Sequence, residues 1–279
     1  MDLGELIRYG FMQRALIAGT LIATLCAILG VFLVLRRFSL IGDGLAHVAF
    51  GGVAVALLLR VEPAYTAVAA IPVVLLSSLG ILKLTEKARI YGDAAIGIVS
   101  SFGIACGILL TSVAGGFNVD LFSFLFGNIL SISRDELLIA AALFCIVVVT
   151  VVFFYNDLFA ITFDEELAKS SGIRAGRING VLVVLTALTV VLAMKLVGIM
   201  LISALLIVPA VTALQVARGF RTTILMAAGC AVFSVVAGIF FSFVMNLPAG
   251  GAIVMINILL FVVAYAFRKT QMRGRGALP

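Results

Sequence analysis

Long apolar runs alternate with short polar and basic connections along the whole chain. Nine runs stand out: Ala15 to Leu35, Gly44 to Leu59, Ala64 to Leu82, Ala94 to Phe117, Leu137 to Tyr155, Ile178 to Met194, Leu196 to Val216, Thr222 to Met245 and Leu247 to Phe267. Backbone groups in hydrocarbon need internal partners, and the runs lack the every-other-residue alternation of a barrel strand, so each is predicted to be helical. A bilayer's hydrocarbon layer takes about 20 helical residues. Several runs are near or below that length and Gly44 to Leu59 carries a histidine, so eight or nine spans are expected, with one tilted, broken or re-entrant. Small residues recur inside the runs, as at Gly51-Gly52 and at Gly97, Gly103 and Gly107, which lets helices approach closely. The predicted fold is all-α, a polytopic membrane helix bundle forming a single transmembrane domain over residues 1–279.

Composition strengthens this picture. Of 279 residues, 64% are hydrophobic and 11% charged, with a mean hydropathy of +1.30. No soluble core hides that much apolar surface, which excludes soluble enzymes, disordered chains and collagen-like fibres. The net charge of +6 sits in short clusters between runs, a topology signal with no continuous patch for nucleic acid. Lysine and arginine accumulate on the cytoplasmic side. If nine spans alternate and the C-terminus is inside, fourteen of the nineteen basic residues fall in cytoplasmic connections: Arg36 and Arg37; Lys83, Lys87 and Arg89; Lys169, Arg174 and Arg177; Arg218 and Arg221; Arg268, Lys269, Arg273 and Arg275. That register puts the N-terminus outside. The first run ends in Arg36-Arg37 with no small-residue cleavage site, so it is expected to stay attached. Cys26, Cys106, Cys145 and Cys230 lie inside apolar runs without CxxC spacing and are expected to be buried, reduced thiols.

Few residues can carry chemistry. The one histidine, His47, follows Asp43 by four positions, and on a helix such residues share a face. A carboxylate and an imidazole converging on one point suit Zn²⁺ or Mn²⁺, although Asp43 as a helix cap and His47 as a packed histidine fit the spacing too. Two ligands make half a site, which a second copy of the chain would complete. Two polar inserts interrupt the runs, Gly116 to Glu136 outside and Asn156 to Arg177 inside. In the second, Thr162 or Asp164 can cap a short helix, Glu165 and Glu166 suit its first turn, and Gly172 can end it. Such a helix docks a partner or simply lies on the surface.

Absences narrow the function. There is no GxxxxGK[ST], and none of the five lysines follows a glycine, so the chain has no Walker A phosphate loop. Nor is there HExxH or GxSxG, so it is not expected to be an enzyme. An ion-coupled carrier would ordinarily show several acids within its spans, whereas Asp43 is the sole carboxylate clearly tied to one. Pro209 and Pro248 are expected to kink or start helices.

Several strings carry a resemblance: Arg36-Arg37-Phe38-Ser39-Leu40-Ile41-Gly42-Asp43-Gly44-Leu45-Ala46-His47, Asp120-Leu121-Phe122-Ser123-Phe124-Leu125-Phe126-Gly127, Met194-Lys195-Leu196-Val197-Gly198, Ala204-Leu205-Leu206-Ile207-Val208-Pro209-Ala210 and Pro248-Ala249-Gly250. In this order, from about residue 12 to 267, the chain resembles the permease subunit of ABC importers for zinc, manganese or iron. The resemblance implies a type II importer permease in a bacterial or archaeal cytoplasmic membrane. It implies a homodimer bound to two copies of a cytoplasmic ATPase, fed by an extracytoplasmic metal-binding protein. No cofactor is bound permanently; ATP is used by the partner, and the metal is cargo. Asp43 and His47 match the family's candidate metal contacts. Asp164, Glu165, Glu166, Leu167, Ala168, Lys169, Ser170 and Gly172, within residues 156–177, resemble the coupling loop that engages the ATPase. Zinc is the favoured metal, then manganese or ferrous iron. The alternatives are a siderophore- or cobalamin-type permease and an ion-coupled carrier that works alone.

Overall fold

In a computed structural model, which describes residues 9–61, 66–86, 88, 90–113, 127 and 132–275, eleven helices carry most of the described residues. They are α1 (Gly10–Leu35), α2 (Ile41–Leu58), α3 (Thr66–Glu86), α4 (Gly92–Val113), α5 (Arg134–Phe153), α6 (Tyr155–Phe163), α7 (Glu165–Ser170), α8 (Ala175–Val197), α9 (Ile199–Val216), α10 (Phe220–Met245) and α11 (Ala249–Arg275). There is no strand among the described residues. Among the described residues eight helices are long and apolar enough to cross a membrane, and α9, with the shorter apolar stretch Leu201–Val216, is a ninth apolar helix. The expected all-α bundle is therefore present.

The broken element is not the histidine-bearing one. All but the last residue of the run Gly44 to Leu59 belongs to an uninterrupted 18-residue helix that starts earlier, at Ile41, and ends at Leu58. The interruption falls instead at Gly198, between α8 and α9, with φ 82° and ψ 160°. A side chain there would be strained, so this glycine ends one helix and lets the next begin at once. Pro209 lies inside α9, Pro72 lies inside α3, and Pro248 precedes the first turn of α11.

The inner helix is α1, with Leu25, Cys26, Leu29 and Phe32 wholly buried. Its backbone meets α9 where Gly30 faces the Leu206 carbonyl, an approach that leaves no room for a side chain. Helices α2 and α4 run parallel, with Gly44 against Ile96 and Gly107 against the Phe50 ring. Between them a Cβ added at Gly51 would stand 2.6 Å from the Gly103 carbonyl, so small residues set this spacing as they do in lipid generally. Buried hydroxyls are satisfied within their own helices: Thr186 and Thr189 donate to the carbonyls of Leu182 and Leu185. The Ser234 hydroxyl, besides meeting the Cys230 carbonyl of its own helix at 2.8 Å, lies 2.9 Å from Oδ1 of Asn257, pinning α10 to α11. The four cysteines are free, but only Cys26 is buried; Cys145 is exposed and the other two half-buried, so the expectation of four buried thiols holds for one. An apolar run facing outward from the bundle hides its thiol from water only through lipid.

The basic connections gather at one end. The end of α1 reaches α7 through Arg36 and Glu165, and Asn179 near the start of α8 reaches Glu86 at the end of α3. Phe220 at the start of α10 packs on Phe32, Tyr155 and Phe159, while Arg268 donates to Gln215 near the end of α9. This common end is the one that the basic-residue excess marks as cytoplasmic.

Candidate functional site

Helix α2 presents two polar side chains on one stripe. Leu40 holds the N-cap position and no side chain caps the helix, so Asp43 is not its cap. Its Oδ2 instead lies 3.4 Å from Nε2 of His47, one turn further on. The Ser203 hydroxyl, on α9, stands 3.4 Å from the other carboxylate oxygen. The Asp43 side chain is 47% exposed and that of His47 30%, whereas the flanking Gly42, Leu45 and Ala46 are buried. Neither residue is thus an enclosed packing element. Both look out of the chain from within an apolar helix.

An ionisable pair on the face of a membrane span is expensive against lipid, so it faces water or another protein surface. The donor separation suits a shared cation: a metal about 2.1 Å from each donor puts them roughly 3.0–3.4 Å apart at the usual ligand angles. Among the described residues no group of three or more His, Cys, Asp or Glu side chains could hold a metal. One chain accordingly offers one carboxylate, one imidazole and the Ser203 hydroxyl. Sequence reading missed Ser203, because nothing in one sequence ties it to a residue 160 positions away.

The insert over residues 156–177 folds largely as two short helices, α6 and α7. Asp164 caps α7, its carboxylate accepting the Leu167 amide at 2.9 Å, while the Thr162 hydroxyl donates to the Leu158 carbonyl and takes no part. Gly172, at φ 86°, closes the turn that follows. Glu166, Leu167, Lys169 and Ser170 face outward, with Leu167 64% exposed, and Ala168 is buried against the bundle. Glu165 turns inward. Its Oε2 accepts from Arg36 Nη2 at 3.1 Å and from Asn179 Nδ2 at 3.4 Å, and its Oε1 pairs with Lys169 at 3.0 Å. Burial alone would raise its pKa, but Lys169, Arg36 and Asn179 outweigh that and hold the carboxyl below its ordinary value. Burial pulls the Arg36 guanidinium down, against the opposing pull of Glu165 and Glu86. The carboxylates of Glu165 and Glu166 raise the Lys169 ammonium. Of the resembling strings, Asp120 to Phe126 and most of the outer insert lie outside the described residues; Gly127 packs against Val197 and Gly198 at the α8–α9 joint.

Comparison with known proteins agrees with the motifs. Residues 8–268 match the model of the ABC 3 transport family. The chain is 33% identical over 96% of its length, and 90% of the relative's, to the manganese transport system membrane protein MntC of Halalkalibacterium halodurans. It is 35% identical to the manganese import system permease protein ScaB of Streptococcus gordonii, over 94% of this chain and 93% of that one. In structure it resembles PsaBC from Streptococcus pneumoniae, solved in complex with a Fab, with a TM-score of 0.81, 33% identity and 94% of each chain covered. The matched relatives are membrane permease components, in keeping with the missing phosphate loop, and this chain belongs to the ABC 3 transport family.

Proposed function

We propose that this chain is the permease of an ATP-driven importer of a divalent transition metal, with Asp43 and His47 as its transient metal ligands. The observation that carries the reading is a carboxylate and an imidazole 3.4 Å apart, half-exposed on a membrane span, with no third ligand of their kind in the chain's described part. A second copy across a two-fold axis supplies the matching pair, giving two oxygens and two nitrogens. Binding is weak enough for release because each copy contributes only two strong donors.

Manganese takes first place over zinc, which the sequence alone favours. The names of MntC and ScaB point that way, and Ser203 adds an oxygen beside Asp43 in a site where harder ligands suit manganese better. An extracytoplasmic binding protein delivers the metal to the outward-facing dimer. Two ATPase subunits dock on the outward face of α7, where Leu167 offers an apolar contact ringed by Glu166, Lys169 and Ser170. The whole chain acts as one transmembrane permease domain, with residues 156–177 as its coupling segment.

The test is uptake into proteoliposomes holding the chain with and without its ATPase. ATP-dependent manganese uptake in the complex, with none by the chain alone, supports the reading. Uptake by the chain alone, driven by an ion gradient, replaces it with a secondary carrier.

A further inference from the structure

The cytoplasmic end holds a network that a surface connector does not need. Arg36 follows α1 directly and only 9% of its side chain is exposed, yet it is satisfied by a residue 129 positions away, Glu165 of α7. Its guanidinium also lies over the Phe38 ring, 5.9 Å from the centroid. Phe38 in turn packs against Gly92 at the start of α4, where an added Cβ would be 3.0 Å from the ring. Between them Arg37 adopts φ 60°, a left-handed conformation rare for a non-glycine residue and kept only where the surroundings dictate it. The corner is closed on both sides, since the Phe38 amide donates to the Leu33 carbonyl at 2.9 Å and the Ile41 amide to the Phe38 carbonyl at 3.1 Å. Asp43 begins two residues beyond.

Glu165 is therefore the residue of α7 that hydrogen-bonds into the bundle, and Arg36 and Asn179 are the residues it reaches. Resting on the function proposed above, we infer that Arg36 is a positioning residue that passes the displacement of α7 to the Arg36–Leu40 corner, and through it to Asp43 and His47 on α2. The α2–α4 pair moves with the corner because Phe38 bears on α4 and glycines hold the two helices in contact.

The surroundings leave room for a second arrangement. A cavity of about 380 Å³ lined by Arg36, Glu86, Glu165, Lys169 and Asn179 lies beside the pair. Asn179 is 2% exposed; its Nδ2 spans Glu86 and Glu165 at 3.3 and 3.4 Å, but its Oδ1 is buried without a donor. Arg36 carries five N–H donors. A guanidinium that pivots within the cavity gives that orphaned oxygen a partner, which makes the network a two-state element of the kind that carries coupling between sites.

The experiment reads metal ions imported per ATP hydrolysed by the reconstituted complex, using radiolabelled manganese. R36Q and E165Q are each expected to lower this ratio roughly 3- to 30-fold while ATP hydrolysis persists, the span that coupling through one such element covers. The R36Q/E165Q double variant does no worse than either single one, and the charge swap R36E/E165R recovers most of the ratio. A purely structural pin would lower uptake and hydrolysis together and leave the ratio unchanged. An unchanged ratio in R36Q, or losses that multiply in the double variant, overturns the inference. If R36Q fails to assemble, R36K takes its place under the same criteria, since an ammonium cannot engage Glu165 and the Phe38 ring with the same fork. If the native complex imports neither manganese nor zinc nor ferrous iron on ATP addition, the functional reading itself falls, and the relay with it.

Discussion

Ser203 of α9 stands 3.4 Å from Asp43 of α2, on the carboxylate oxygen that His47 does not use. The two residues are brought together by the tight passage of α9 over α1 and α2, with Leu206 facing Gly30 and Gly42. One carboxylate is thereby held from both sides, which fixes the direction in which it presents its remaining lone pairs. Partners that orient a metal ligand typically change affinity about 10- to 100-fold when removed. The bond here is long, so Ser203→Ala is expected to raise the manganese concentration for half-maximal uptake by about tenfold at the low end of that range. A titration of uptake rate against manganese in proteoliposomes checks it; an unchanged half-saturation point would leave Ser203 a mere neighbour.

Uptake should depend on pH through His47. The imidazole binds metal only when neutral, so protonation competes with the cargo and uptake declines as external pH falls through the histidine's titration. His47→Asn, which cannot titrate, is expected to show low uptake with a flat profile over the same range. The measurement is initial rate against pH in native and variant complexes at equal ATP.

Glu165 gives a second, separate pH effect on stability. Its pKa in the folded chain is held below the ordinary value of 4.5 by Lys169, Arg36 and Asn179. The ionised carboxyl therefore stabilises the fold fully above that value, and the contribution disappears as pH falls through the lowered folded-state pKa. Glu165→Gln should lower thermal stability in detergent near neutral pH by about 1 kcal/mol, after discounting for solvent at this partly open site. The difference from native protein should vanish in acid well below pH 4.5. A difference that grows in acid would contradict the assignment.

Within the membrane, the Ser234–Asn257 bond joins α10 to α11, and Asn257 is 1% exposed with its Nδ2 already unpaired. Ser234→Ala leaves the Asn257 amide without any side-chain partner on α10. Measured bonds of this type in bilayers average about 0.6 kcal/mol and reach about 1.7, so a loss in that range is expected in thermal or chemical unfolding. Replacing both residues with apolar ones of similar size should recover much of it, since no buried polar group then remains.

At Gly198 the φ of 82° puts any side chain in a strained region. Gly198→Ala is expected to destabilise the α8–α9 joint by about 1–3 kcal/mol, read as a lower unfolding midpoint with the helix content of the folded state unchanged.

How much of this the sequence reveals varies with the distance over which each feature is decided. Apolar runs report helices directly, because in lipid nearly every residue of a span is apolar whatever it packs against. The Asp43 and His47 pair is legible for the same reason: both lie on one element, and one turn of helix suffices to bring them together. The break at Gly198 is invisible to hydropathy, since a glycine between apolar residues looks the same in a continuous helix as at a joint. Hydropathy therefore shows the run Leu196 to Val216 as one piece, although Leu196 and Val197 end α8. Ser203 beside Asp43, and the Arg36–Glu165–Asn179–Glu86 network, depend on helices packed from distant parts of the chain. The coupling string does mark α7 as a helix with Asp164 as a workable cap, but not that Glu165 turns inward to Arg36.

The central claim is that metal passes between Asp43 and His47 of two copies of this chain. The most direct test is ATP-dependent manganese uptake into proteoliposomes holding the permease with its ATPase, comparing native protein with the Asp43→Ala, His47→Ala double variant. With assembly intact and ATP hydrolysis retained, the double variant should lose uptake almost entirely. Uptake at the native rate by an assembled double variant would remove the pair from the metal's path.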